Sequence, residues 1–172
     1  MKPNQGHCYI WNEAECNRGA NDIASFMWRW LQDKEKQNVK RVIFYSDTRG
    51  GQNRNQIIIT ALVVFLAKSN MTSIEQKFFE RGHSKMEADS MHSAIKGQFD
   101  KKNIFLPSGY MECMLAANKK NPYHVHEVTH SDIMDFDAIN KQYFKQDAFN
   151  GILKVHHITC AKSDGDIKVK FA

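Results

Sequence analysis

Between Val39 and Gly97 the chain alternates twice between a strand-like and a helix-like segment, and a polar cluster falls at each passage from strand to helix. Val39 to Tyr45 (Val-Lys-Arg-Val-Ile-Phe-Tyr) reads as a strand, apolar in its second half. Asn55 to Lys68 reads as a helix that is apolar nearly all round, so it should lie deep. Ser73 to Glu80 is a strand with weaker alternation, and Ser84 to Gly97 a second helix. A βαβα order calls for parallel strands joined by a crossover helix, with polar groups gathered outside the carboxyl ends of the strands. The apolar run Ile57 to Ala67 is broken only by Thr60. It is too short for a bilayer, which needs about 20 residues, and is a buried core element.

The first polar cluster is Ser46-Asp47-Thr48-Arg49-Gly50-Gly51-Gln52-Asn53-Arg54-Asn55. A carboxylate at Asp47, just past a strand, can hold a hard cation through oxygen. Asp also starts turns readily, and a turn or helix cap is its ordinary use. The neighbours favour a ligand: Gly50 and Gly51 let backbone approach closely. Gln52, Asn53 and Asn55 crowd amides together and Arg54 adds a cation, groups suited to phosphate oxygens and base edges.

The second cluster is Gly82-His83-Ser84, then Glu87, Asp89 and His92. On a helix, Lys85, Asp89, His92 and Lys96 share one face, with Ala88, Met91 and Ile95 as the adjacent apolar stripe. Asp89 and His92 are therefore expected side by side at the core-facing edge. Glu87 lies about 200° from Asp89 at 100° per residue and should face elsewhere. His83, at a strand end, is either a ligand or a turn residue.

A net charge of +5 permits nucleic-acid binding without demanding it, because the basic residues are scattered. The four cysteines, Cys8, Cys16, Cys113 and Cys160, form no C-x-x-C pair. Free thiols in a reducing, intracellular compartment, nuclear or cytoplasmic, are expected, and no membrane association. Met1 to His7 is polar and does not read as a signal peptide.

Elsewhere, His7 to Trp11 is a short β-rich run, and Asn21 to Lys34 carries one helical stripe at Ile23, Phe26, Met27, Trp30 and Leu31. Ser108 is a plausible cap for a helix from Gly109 to Asn118. Tyr123 to Val128 is a candidate strand. Ile152 to Ala161 and Ile167 to Phe171, joined by a turn with Asp164-Gly165, form a hairpin signal. The expected organisation is a core over residues 1–100 and a C-terminal extension over 101–172, packed on it with a helix and a β-hairpin.

His124, His126 and His130 and the pair His156-His157 invite a zinc reading, but no partner has helical H-E-x-x-H spacing. Glu13, after Trp11-Asn12, is either a further site acid or an exposed acid before a helix. G-x-S-x-G, P-loop and G-x-G-x-x-G signatures are absent from the sequence. Ser46 to Gly50 is similar to the S-D-x-H-G opening of calcineurin-like metallophosphoesterases, but Arg49 stands where their histidine is needed and no G-N-H-[DE] follows.

Four segments together resemble a transposon-associated family of the DUF7869 type: Trp11-Asn12-Glu13, Arg18 to Ser25, Ser46 to Asn55 as S-D-x-x-x-G-Q-N-x-N, and Gly82 to His92 as G-H-[ST]-x-M-x-x-D-x-x-H. The order of elements is similar to the ribonuclease-H-like fold of transposases and integrases, in which three acids hold two metal ions. The resemblance implies an α/β fold with a mixed sheet and flanking helices, Asp47 as the second acid, and Asp89 or Glu87 as the third with His92 beside it. Mg²⁺ or Mn²⁺ would be the cofactor and nucleic acid, DNA above all, the partner. Gln52, Asn53, Arg54, Asn55 and His83 would contact it. The chain departs from the pattern in two ways: it begins at what would be the third strand, without the opening strand and its acid, and Asn12 stands where the family often has Asp. The expected function is a metal-dependent nuclease or transposase-like activity on phosphodiesters. The alternative is a domesticated or decayed module that binds nucleic acid or protein without catalysis.

Overall fold

The computed structural model describes residues 5–49, 51–80, 86–145 and 151–172. In chain order its elements are β1 (His7–Ile10), α1 (Ala20–Lys36), β2 (Arg41–Ser46), α2 (Gln56–Lys68), β3 (Ser73–Phe78), α3 (Glu87–Phe99), α4 (Pro107–Ala116), β4 (His124–Glu127), α5 (Phe136–Tyr143), β5 (His157–Ser163) and β6 (Asp166–Phe171). The architecture is mixed α/β. It divides into two compact units: Cys16–Ser84 with Ser131–Ala172, and Met1–Glu15 with Lys85–His130.

The larger unit is built on a four-stranded sheet in the order β2-β3-β5-β6. β2 and β3 are parallel and joined by the crossover helix α2, as the βαβ pattern requires. β5 then pairs antiparallel with β3, and β6 with β5. The expected hairpin is therefore part of the same sheet as β2 and β3. Its turn is Asp164-Gly165, both at positive φ (55° and 86°), the two-residue geometry whose twist matches the flanking strands.

One face of this sheet carries the core. Val42, Ile74, Phe78, Ile158 and Cys160 are buried there against Ile58, Ile59, Leu62, Phe65 and Leu66 of α2 and Leu31 of α1. Each such aliphatic side chain contributes about 1.5–3 kcal/mol by leaving water. That is why α2 is apolar nearly all round. Its buried Thr60 is satisfied by donating to the Asn140 side chain of α5 at 2.9 Å. Helix α1 is capped by Asp22 in its first turn, whose carboxylate accepts from the Gly19 N–H at 2.7 Å and the Asn17 N–H at 3.2 Å. The opposite face of the sheet is open: Ile43 is 46% and Tyr45 56% exposed.

In the smaller unit, β1 pairs parallel with β4, and α3 packs with α4. His7 pairs with His124 and Tyr9 with His126 across the strands, and the imidazoles of His7 and His126 meet at 3.0 Å between Nδ1 and Nε2. A cavity of about 480 Å³ is lined largely by Trp11, Phe99, Phe105, Leu106, Tyr110 and Met111. The helix expected from Gly109 starts earlier, with Pro107 in its first turn and Leu106 as N-cap. Proline's missing N–H is one the first turn leaves unbonded anyway, and its fixed φ suits that position, so Ser108 lies inside the helix and is not its cap.

Two further stretches differ from the sequence expectation. α5 was not anticipated. It is short, capped by Asp135, whose carboxylate accepts from the Ala138 N–H at 3.0 Å, and anchored by fully buried Phe136. Ile152–Lys154, expected to start a strand, forms a single 3₁₀ turn after Gly151 at φ 81°. β5 begins only at His157, where pairing with Lys77 starts.

Candidate functional site

The parallel register sets the geometry at the carboxyl end of the larger unit's sheet. Ser46 stands opposite Phe78, and the Phe79 N–H donates to the Ser46 carbonyl at 3.0 Å. Asp47 and Thr48 leave β2 beside the point where Phe79 and Glu80 leave β3. Asp47 Oδ1 accepts from Asn53 Nδ2 at 2.5 Å and from the Arg49 N–H at 3.4 Å. Its Oδ2 lies 3.5 Å from Arg49 Nε, and the Arg49 side chain is 73% exposed. The loop closes on itself further: the N–H groups of Gln52, Asn53 and Arg54 converge on the Arg49 carbonyl at 3.2, 2.8 and 3.1 Å.

The other residues of the first cluster divide between scaffold and surface. Asn55 is the N-cap of α2, its side chain accepting from the Ile58 N–H at 3.0 Å. Gln52 Nε2 donates to the Arg18 carbonyl at 3.3 Å. Arg54 is buried. Its guanidinium donates to the Leu153 carbonyl and lies over the Phe78 ring, 4.7 Å from its centroid. A burial of that kind costs several kcal/mol in desolvation, offset here by the hydrogen bond and the ring face. Arg54 also lines a crevice of about 280 Å³ with Thr48, Phe79, Glu80, Leu153 and His156. A cation, a carboxylate and an imidazole thus border one recess outside the ends of two parallel strands, where α/β proteins place ligands.

Glu80 and Thr48 were not singled out from sequence, and His156 only as half of a histidine pair. The signal for Glu80 was available: it follows β3 as Asp47 follows β2, and a βαβ unit sets those two ends side by side. His156 is carried in by a chain segment far away in sequence, and no local pattern announces that.

Of the second cluster, Glu87, Asp89 and His92 belong to the smaller unit. His83 lies outside the described residues. Glu87, Asp89 and His92 are all exposed at the start of α3, so Asp89 and His92 do not sit at a core-facing edge. The core contact of this helix is made by Ile95, a turn later, and Met91 is half-buried. Asp89 has a defined local task. At the third helical position, its Oδ2 accepts from the Met86 N–H at 2.8 Å. This capping-box contact satisfies a donor ahead of the first turn.

Among the described residues no three His, Cys, Asp or Glu side chains converge as a metal cage. No described helix is long and apolar enough to cross a membrane. All four cysteines are free thiols, and burial pushes the Cys160 thiol up to about 12.

The chain is a member of a defined domain family: a family model described as a domain of unknown function, DUF7869, matches residues 2–171. The chain therefore belongs to the DUF7869 family, and the resemblance read from its motifs holds at that level. No curated protein and no solved structure matches it.

Proposed function

We propose that this chain is a transposon-derived, ribonuclease-H-like domain that acts on nucleic-acid phosphodiesters with a divalent metal, Mg²⁺ or Mn²⁺, anchored by Asp47. The observation that carries the reading is the place of Asp47: a half-buried carboxylate at the carboxyl end of the first of two parallel strands, next to the crevice that Arg54, Glu80 and His156 line. Hard oxygen donors in that position suit Mg²⁺ and Mn²⁺, and Mg²⁺ commonly rests on one or two carboxylates with water and substrate phosphate completing its shell. Asp47 fits that sparse donor set. When bound, the metal would polarise the phosphate and activate water or a 3′-hydroxyl. Arg54 would face the phosphate from the crevice, and Asn53, which donates to the Asp47 carboxylate in the metal-free chain, would turn its amide oxygen to the same ion.

The sheet order is compatible with this assignment. Lys40 and Ser46 accept from the β3 side, so in the alternating parallel ladder the main-chain groups of Arg41, Ile43 and Tyr45 point away from β3. β2 is the edge of the sheet, and a further strand with another acid can add there.

A second reading, a non-catalytic nucleic-acid-binding module, is favoured by two observations. The Asp89 carboxylate is engaged in capping α3, and Asn55 in capping α2. Calorimetric titration with Mn²⁺ separates the two, comparing the wild type with Asp47→Ala. Binding by the wild type that is lost in Asp47→Ala, together with metal-dependent cleavage of an oligonucleotide, is expected. No Mn²⁺ binding by the wild type, with salt-dependent nucleic-acid binding retained, would sink the catalytic reading and leave the binding module.

A further inference from the structure

The open face of the four-stranded sheet has a composition that neither the Asp47 loop nor the family assignment accounts for. Cross-strand partners share a face. The register therefore places Arg41, Ile43 and Tyr45 of β2 with Glu75 and Lys77 of β3, His157 and Thr159 of β5, and Lys168 and Lys170 of β6. Four permanent cations, Arg41, Lys77, Lys168 and Lys170, stand on this face against two carboxylates, Glu75 in its middle and Asp166 at the hairpin end of β6. Glu75 is largely shielded. It sits 2.9 Å from His157 Nε2, 3.8 Å from the Arg41 guanidinium and 3.9 Å from Lys77 Nζ. Those contacts hold the cations across the sheet while leaving Arg41 74% exposed. Lys168 reaches Asp164 in the hairpin turn at 3.3 Å and is still 53% exposed. Tyr45 presents its ring to solvent, with Lys77 Nζ 5.9 Å from its centroid and Phe79 at 5.8 Å.

We propose that this sheet face binds single-stranded nucleic acid, with a base stacked on Tyr45 and the backbone tracked by Lys77, Lys168 and Lys170. A cationic platform with an exposed aromatic ring supplies what a single strand offers, a π-face on every base and a charged backbone. An acidic peptide would satisfy the lysines and leave the ring without a specific partner. A duplex fits poorly. Four strands at about 4.8 Å spacing make a face about 14 Å wide before side chains are added, too broad to enter a major groove of about 12 Å. The proposal does not depend on Asp47 holding a metal.

The test is fluorescence anisotropy of a labelled oligothymidylate titrated with the full chain in EDTA, over a range of salt. Wild-type binding should weaken with salt by about 0.7 log units per log unit of salt for each phosphate contacted. Tyr45→Ala should weaken binding about 5- to 150-fold, the span that loss of one stacked base carries. Tyr45→Phe should restore it. Lys168→Glu with Lys170→Glu should flatten the salt slope by about 1.4, two contacts at about 0.7 each. Lys101→Glu with Lys102→Glu imposes the same charge change on exposed lysines off this face and should keep the wild-type slope. All these side chains are exposed, and circular dichroism checks that each variant folds. Absence of wild-type binding overturns the proposal, as do a Tyr45→Ala variant that binds like wild type, an equal effect from the Lys101/Lys102 pair, or equal competition by duplex DNA or polyglutamate. Because EDTA removes the metal, failure here and failure of the Asp47 reading are separately visible.

Discussion

Asp89 is where the structural and the catalytic readings of this chain give opposite answers to one substitution. Its carboxylate closes the first turn of α3, accepting the Met86 N–H at 2.8 Å while its own N–H donates to the Met86 carbonyl at 3.0 Å. Asp89→Ala deletes that acceptor, a loss of about 1 kcal/mol for a helix-cap contact. It also removes a negative charge from the positive end of the helix dipole, about 0.3–1 kcal/mol more. The sum of about 1.3–2 kcal/mol should lower Tm by about 3–8 °C, at about 2–4 °C per kcal/mol for a chain of this size. Asp89→Asn keeps an oxygen to accept the Met86 N–H and loses only the charge, so Tm should fall by about 1–4 °C. Scanning calorimetry supplies the melting temperatures, and Mn²⁺ titration of the same two variants supplies the contrast. If capping is the whole role, both variants bind Mn²⁺ like the wild type. If Asp89 holds metal, Asp89→Asn loses affinity while remaining nearly as stable. An Asp89→Ala variant that melts with the wild type would refute the capping argument itself.

Two further outcomes test the fold. Burial pushes the Cys160 thiol from an ordinary 9.0 to about 12, so the folded state prefers the neutral thiol. Its contribution is fully present below about pH 9 and is lost as the pH rises towards 12. The slope is at most about 1.36 kcal/mol per pH unit, so wild type should lose about 2–3 kcal/mol relative to Cys160→Ala by pH 11, read from urea melts across the range. Leu66→Ala, at a fully buried position of α2, should cost about 2–5 kcal/mol in the same melts at neutral pH, and a loss under about 1 kcal/mol would mean α2 is not at the centre of the core.

What could be read from sequence follows the distance over which each feature is determined. β2, α2 and β3 are legible because each is set by its own apolar pattern. α2 is apolar on every side because it sits between the sheet and other helices, and Thr60, the one interruption, is accommodated by Asn140. The Asp164-Gly165 turn is legible because two successive positive-φ residues demand that chemistry. α5 was missed because two turns give the 3.6-residue period little room, although Asp135 marks its start. The joining of the hairpin to β3 was not legible, since Ile74 and Cys160 meet across a long stretch of chain whose own pattern names no partner. The same limit applies to the crevice. Asp47 and Arg54 stand out in one short segment, whereas Glu80 needs the β2–β3 register and His156 needs the β3–β5 pairing.

The Asp47 loop raises a question of occupancy that bears on the proposed metal. In the structure the carboxylate is satisfied from within, by the Asn53 amide and by Arg49. A cation must compete with both. Arg49 offers little resistance, because an ion pair with a side chain 73% exposed is worth about 0–1 kcal/mol and the guanidinium can swing into solvent. Asn53 is different in kind. Its amide has an oxygen as well as a nitrogen, and rotation about the terminal bond exchanges a donor aimed at Asp47 for a hard oxygen aimed at a cation. The loop backbone, held by three N–H groups on the Arg49 carbonyl, need not move. On the proposed reading, then, Asn53→Asp should raise Mn²⁺ affinity by adding a second carboxylate beside Asp47. It should also destabilise the metal-free chain, because two like charges would meet where one hydrogen bond stood. If Asp47 is only the anchor of a turn, Asn53→Asp destabilises the chain and Mn²⁺ does not restore its stability. Melting Asn53→Asp with and without Mn²⁺ separates a metal loop from a structural one in a single pair of scans.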